Sequence, residues 1–262
     1  MRPVAYSRVY PLLLALCLAF SLAGCATTAA TLPPEVPAMH TVNEVQDEYV
    51  VNATDVDPWV GFNRSVYKFN YHLDKYVLLP VVSGYEFITP TLVQDGVSNV
   101  FRNLLEIRNL SNCLFQLKGM QTLTTLGRFL TNSTIGIGGI FDPATSMGMT
   151  YQAEDFGQTL GYWGTGTGPY MVLPLFGPSN VRDTGGIVVD AAIRTAITTS
   201  VLNSVGHLSE GTKNTIKYTT SAVEAIDKRH LEKFRYYGSD YPFEYEMVRF
   251  LAAKQRELQV LK

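Results

Sequence analysis

The stretch DPWVGFNRSVYKFNYHLDKYVLLP, Asp57 to Pro80, decides how the rest of the chain is read. Phe62, Val66, Phe69 and Leu73 recur at intervals of four, three and four, the spacing that sets side chains on one face of an α-helix. Asp57 can cap this helix and Pro58 suits its first turn, where a missing N–H costs nothing. Pro80 is expected to stop it. Tyr67 and Tyr71 line an adjacent stripe, so the helix is apolar over a wide arc.

The same periodicity continues outward. Val93, Val97, Val100 and Leu104 mark one helical segment, and Leu110, Cys113, Leu114 and Leu117 mark another that ends at Gly119. Leu123, Leu126 and Leu130 make a third. Ser179 is placed to cap a helix carrying Ile187, Ala191, Arg194 and Ile197. Two more polar helices follow, one with Ile216, Val223, Ile226 and Phe234, the other with Tyr245, Val248, Leu251 and Leu258. Only MVLPLF, Met171 to Phe176, reads as extended, and Pro174 argues against a central strand. The expectation is a mostly α, single-domain fold over residues 56–250, with 251–262 as the end of the C-terminal helix.

Of the 262 residues 46% are hydrophobic and 17% charged, enough apolar material for a core and too little charge for a disordered chain. With 21 basic against 23 acidic residues and no basic run, binding to nucleic acid through phosphate neutralisation is excluded as a reading.

Arg2 and Arg8 precede an apolar run from Pro11 to Gly24, the layout of an export signal over residues 1–24. The run ends in Leu22-Ala23-Gly24-Cys25, which resembles the lipobox of bacterial lipoproteins, so Cys25 is the expected lipid-attachment residue. An ordinary signal peptide is the alternative. In lipoproteins the residue after the cysteine steers sorting, and Ala26, rather than Asp, implies the outer membrane. Several acyl chains at roughly 0.8 kcal/mol per buried methylene make such anchoring effectively permanent. Residues 25–55, with Pro33, Pro34 and Pro37, read as a flexible tether. No segment beyond the signal is expected to supply the roughly 20 apolar residues of a spanning helix. Cys17 leaves with the signal and Cys25 is acylated, so Cys113 stands alone, in register with Leu110 and Leu117 as a buried, inert thiol.

Catalytic and metal chemistry finds little support. His40, His72, His207 and His230 lack metal-ligand spacing, and neither a GxSxG elbow nor an SxxK motif is present. The glycine-rich GYWGTGTGPY, Gly161 to Tyr170, lacks the Gly-Lys-Ser/Thr of a P-loop and the strand-turn-helix context of a dinucleotide fold. Its Tyr and Trp side chains suit a boundary between apolar and wet surroundings. Gly164 and Gly166 are expected to use positive φ.

Three blocks carry a family resemblance: DPWVGFNRSVYKFN, then GRFLTNSTIGIGGIFDPA, then EDFGQTLGYWGTGTGPYMVLPLFGPSNVRDTGG. In that order and spacing the chain closely resembles the MlaA (VacJ) family of outer-membrane phospholipid-transport lipoproteins, over about residues 57–250. The resemblance implies a helical, ring-like protein embedded in the periplasmic leaflet of the outer membrane, with a central amphipathic channel. It further implies that phospholipid misplaced in the outer leaflet is passed to a soluble periplasmic carrier of the MlaC type, beside a trimeric porin, without catalysis and without a cofactor or metal.

Candidate channel or gate residues follow from these blocks. Arg182, Asp183 and Asp190 are candidates for polar lining, with an internal salt bridge or a solvated face as the competing reading. Thr184 and Ile187 stand where relatives can carry a carboxylate. Arg64 and Arg128 could meet a lipid phosphate or fix helix ends. Phe62 and Asn63 are candidates for keeping the channel closed to the wrong leaflet, or for capping and packing. A porin scaffold and a lipid-modifying enzyme remain alternative functions.

Overall fold

A computed structural model describes residues 57–204, 208–238 and 241–262. The signal segment, Cys25, the tether, His40 and His207 lie outside the described residues.

The opening helix, α1 (Val60–Leu73), forms where its periodicity places it, but Asp57 does not cap it. The Asp57 carboxylate instead accepts from Asn63 Nδ2 at 2.7 Å and from the Tyr245 hydroxyl. Nor does Pro80 end the run. A π-helical turn, Asp74–Leu78, leads straight into α2 (Leu79–Ile88), with Pro80 in its first turn. Proline lacks an N–H and crowds the carbonyl four residues back, and a widened turn just before it relieves both problems. The stop comes at Thr89, extended ahead of Pro90.

The two segments expected between Val93 and Leu117 are one helix, α3 (Thr91–Phe115), of 25 residues. Gly119 opens the next helix, α4 (Gly119–Thr134), rather than closing the previous one. The tight turn between them is made by Leu117 at φ 56°. Two short helices follow, α5 (Pro143–Ser146) capped by Asp142 and α6 (Phe156–Tyr162) capped by Asp155, each carboxylate accepting a backbone N–H. Strand β1 (Tyr170–Leu173) pairs antiparallel with β2 (Gly177–Asn180), Tyr170 facing Asn180 and Leu173 facing Gly177. The extended reading of Met171 to Phe176 thus splits at Pro174, which lies in the hairpin turn, and its partner strand GPSN was not anticipated.

Helix α7 (Val181–Ser204) is capped by Asn180, whose Oδ1 accepts the Asp183 N–H at 2.9 Å, while Ser179 belongs to β2. By length and composition α7 is apolar enough to cross a membrane, which corrects the expectation that no such segment exists. Helix α8 (Glu210–Leu231) ends before Phe234, and α9 (Glu244–Leu261) closes the described chain.

The apolar core is small: Val66, Tyr67, Tyr170, Val172 and Tyr245, with Tyr236, Tyr237 and Val248 against it. Among the described residues nine apolar side chains are buried against twenty-two polar or charged ones, so the interior is predominantly polar. On α1 the buried residues are Asn63, Val66, Tyr67 and Asn70, while Phe62 and Phe69 are 56% and 51% exposed. On α3 the buried stripe is Gln94, Ser98, Phe101, Asn103, Glu106, Asn109, Asn112 and Cys113, and Val93 and Leu104 point outward. The apolar faces read from the sequence are real, but most of them face away from the fold. Cys113 is fully buried, and burial pushes its thiol up, as expected of an inert position.

Candidate functional site

Buried polar groups must find partners, and asparagine, with a donor and an acceptor on one short side chain, can stand in for a strand neighbour. Asn63 donates to the Tyr170 carbonyl at 3.1 Å and accepts the Val172 N–H at 2.8 Å. Seven residues on, Asn70 donates to the Leu173 carbonyl at 3.0 Å and accepts the Leu175 N–H at 2.9 Å. The open edge of β1 is thereby satisfied from α1. Arg64 pairs with Glu246 and stacks over the Tyr245 ring, 4.7 Å from its centroid, fixing α1 to α9. Phe62, next to Asn63 in the chain, lies on the adjacent, exposed face of α1.

Arg128 occupies a second network. Its guanidinium is fully buried and donates to Glu106 at 2.6 Å, to Asp142 at 3.0 Å and to Thr145 Oγ1 at 3.0 Å. Burial pushes Glu106 up, against the pull of Arg128 and Asn109. Burial also acts to raise Asp142, but hydrogen bonds from the Thr145 hydroxyl and N–H, then from Arg128 and Asn132, bring it down to about 2.

The third group surrounds α6. Gly157 packs on α7, where a Cβ at Gly186 would lie 2.7 Å from the Gly157 Cα. This contact lays Asp183 and Asp190 along α6. Arg182 donates to Asp183 at 2.9 Å, and Arg256 of α9 bridges Asp183 at 2.6 Å and Asp155 at 2.7 Å. Asp190 accepts from Asn112 at 3.1 Å and from the Phe156 N–H at 3.0 Å. Burial raises Asp155, yet Arg256, the Gln158 N–H and the charge of Arg108 outweigh it. In Asp190 burial prevails and the carboxyl is raised.

The glycine loop sits against this seam. Thr165 and Thr167 carbonyls accept from Arg182 Nη1 at 3.4 Å and from the Arg182 N–H at 3.1 Å. Trp163 Nε1 donates to the Phe115 carbonyl at 3.1 Å, tying the loop to the end of α3. Gly164 adopts φ +88° as expected, but Gly166 does not lie in the left-handed region; Gly168, at φ +68°, does. A Cβ at Gly166 would meet nothing within 4 Å.

The structure therefore brings Gly164, Arg182, Asp183 and Asp190 into one region, joins Arg128 to it through Glu106, Asn109, Glu154, Gln116, Thr159 and Asn112, and leaves Phe62, Asn63 and Arg64 in another. Sequence reading missed Arg256, Asp155, Glu106 and Arg108. A signal existed: Asn103, Glu106, Asn109, Asn112 and Gln116 repeat at intervals of three, three, three and four on a helix otherwise rich in Leu and Val. Among the described residues no group of His, Cys, Asp and Glu side chains could hold a metal ion.

A family model, MlaA lipoprotein, matches residues 55–259. The chain belongs to the MlaA lipoprotein family. It is 37% identical over 138 residues to the intermembrane phospholipid transport system lipoprotein MlaA of Escherichia coli (strain K12), covering 51% of this chain and 55% of that one. Identity to the MlaA of Haemophilus influenzae is 34% over 139 residues, 52% of this chain and 56% of the relative. An uncharacterised protein of Rickettsia typhi is 38% identical over 138 residues, 52% and 55% of the two chains. The chain thus spans about half the length of the curated relatives it matches. A solved structure described as the structural basis for maintenance of bacterial outer membrane lipid asymmetry matches with a TM-score of 0.57 and 27% identity, over 78% of this chain and 98% of that one. The fold of this family member is mostly helical with one small hairpin, and the three sequence blocks that carry the family resemblance fall on the three polar networks.

Proposed function

We propose that this chain is an outer-membrane lipoprotein that removes misplaced phospholipid from the outer leaflet and hands it to a soluble periplasmic carrier of the MlaC type, so maintaining lipid asymmetry. The observation that carries this reading is the inversion of polarity. Phe87, Ile88, Leu92 and Leu117 are at least three-quarters exposed, whereas Asn63, Glu106, Asn109, Asn112 and Arg128 are fully buried. Exposure to water would forfeit roughly 25 cal/mol for each Å² of apolar surface left unburied; exposure to hydrocarbon forfeits little. Inside hydrocarbon, polar groups must satisfy one another, as Arg128 with Glu106 and Asp142, and Arg256 with Asp155 and Asp183, do.

On this reading the protein lies in the periplasmic leaflet, anchored through Cys25, with a central amphipathic channel and a trimeric porin beside it. The polar seam of Arg182, Asp183, Asp190 and Arg256 offers a phosphate head group a route that apolar faces offer to its tails. No bond is made or broken. The experiment is reconstituted transfer of a fluorescent phospholipid from proteoliposomes to the carrier. Transfer that depends on this protein supports the reading; an intact, acylated protein that binds a porin but moves no lipid would favour a scaffold, and lipid recovered in altered form would favour an enzyme.

A further inference from the structure

Arg108 differs from the other arginines of the polar interior. Arg128, Arg182, Arg229 and Arg256 each pair with a carboxylate. Arg108 forms no ion pair among the described residues. Its Nε is buried without a hydrogen-bond partner among them, and its Nη2 reaches only Asn109 Oδ1, at 3.5 Å. That oxygen already accepts the Glu154 N–H at 3.1 Å. Most of the guanidinium's donor capacity is unused, on a side chain that is only half-buried and therefore within reach of a ligand.

Its surroundings define the ligand's chemistry. Arg108 belongs to the α3 segment that carries Asn109 and Asn112 towards α6 and α7, and its positive charge favours the ionised forms of Asp155 and Asp190. Both carboxylates are already engaged: Asp155 with Arg256 and the Gln158 N–H, Asp190 with Asn112 and the Phe156 N–H. Asp183, which holds Arg182, and Asp190 are seven residues apart on α7, about 10 Å along its axis. Arg182 and Arg108 therefore border one polar seam, Arg182 through Asp183 and Arg108 through Asp190 and Asp155. A guanidinium forks onto phosphate oxygens through parallel N–H donors, a geometry an ammonium cannot copy. The nearby Asp155 and Asp190 charges weaken the field on a bound anion, which allows release.

We propose that Arg108 contacts the phosphodiester of the transported phospholipid, as a station on the polar route additional to Arg182. The proposal rests on the transport reading above and names a residue for it.

The test uses the full, acylated chain as wild type, Arg108→Gln, Arg108→Lys and the double variant Arg108→Gln with Asp190→Asn. Two quantities are measured: transfer of tail-labelled phosphatidylglycerol from proteoliposomes to the carrier, and phospholipid retained by the detergent-purified protein, counted by native mass spectrometry. Arg108→Gln is expected to lower transfer at least tenfold and to reduce retained phospholipid. Arg108→Lys should fall between, having the charge without the fork, and the double variant should stay low. If Asp190→Asn restores the Gln variant, Arg108 only balances carboxylate charge and the proposal is overturned. Unchanged retention in Arg108→Gln also overturns it. Wild-type protein that retains phospholipid through Arg108 but transfers none would instead sink the transport reading and keep the contact.

Discussion

Gly186 of α7 crosses Gly157 of α6 so closely that a methyl group on Gly186 would lie 2.7 Å from the Gly157 Cα. Backbone, unlike a flexible side chain, cannot swing aside. Gly186→Ala should therefore push α6 from α7, separating Asp155 and Asp183 from their common partner Arg256, and destabilise by about 1–3 kcal/mol or more. Gly185 is the control, since a Cβ there meets nothing within 4 Å. Gly185→Ala should stabilise by up to about 1 kcal/mol, because alanine is the better helix former. Thermal unfolding of both variants in detergent would check the opposite signs; equal effects would mean that the helix crossing is looser than the structure shows.

Asn63 acts as the missing neighbour of β1, and its loss should be felt there first. Asn63→Ala leaves the Val172 N–H, the Tyr170 carbonyl and the Asp57 carboxylate each short of a partner. Each buried group stranded in this way costs about 1–3 kcal/mol. Hydrogen exchange is the discriminating measurement: the Val172 amide should lose protection in Asn63→Ala, while amides in the middle of α8 should not. Uniform loss would point to global unfolding rather than an opened strand edge.

The helices were legible because their apolar residues repeat with a helical period, yet the direction of those faces was not. Period alone cannot say whether Phe62 and Phe69 face into the fold or away from it; the identity of the adjacent face can, and there Asn63 and Asn70 are buried. A stripe of amides beside a stripe of leucines is the sequence form of an inverted interior. Strand β2 was invisible because GPSN has no β-branched or aromatic residue, and it exists through pairing with Tyr170–Leu173. Arg256 was missed for a different reason. Its partners Asp155 and Asp183 are far away in sequence, and nothing local distinguishes it from a solvated arginine.

Acid should loosen the Arg128 network in a defined window. Asp142 is held down to about 2 in the folded protein, against roughly 3.9 for an unperturbed aspartate. The unfolded chain therefore takes up the proton first. Stability from this carboxylate is fully present above about pH 5 and is lost as pH falls from about 4 through 2. Glu106, raised by burial, contributes a slope of the other sign at higher pH. Unfolding midpoints of wild type and Asp142→Asn across pH 2–7 would test this. The variant should be less stable near neutrality and flatter below pH 4; parallel curves would show that Asp142 does not titrate as assigned.

The glycine loop can now be tested residue by residue. Gly164 and Gly168 adopt φ of +88° and +68°, and a Cβ at Gly168 would also press on Val181 Cβ at 3.2 Å. A β-branched residue in the left-handed region is strained by about 1–2 kcal/mol. Gly164→Val and Gly168→Val should consequently displace the Thr165 and Thr167 carbonyls that receive Arg182 and, on the transport reading proposed above, lower phospholipid transfer. Gly166 carries neither constraint, and Gly166→Val should transfer as the wild type does. The measurement is the same proteoliposome-to-carrier assay with folded fraction checked by circular dichroism. If all three variants are folded and transfer normally, the loop is only a connector between α6 and β1. If Gly166→Val alone fails, the loop's open side matters to lipid passage more than its backbone shape.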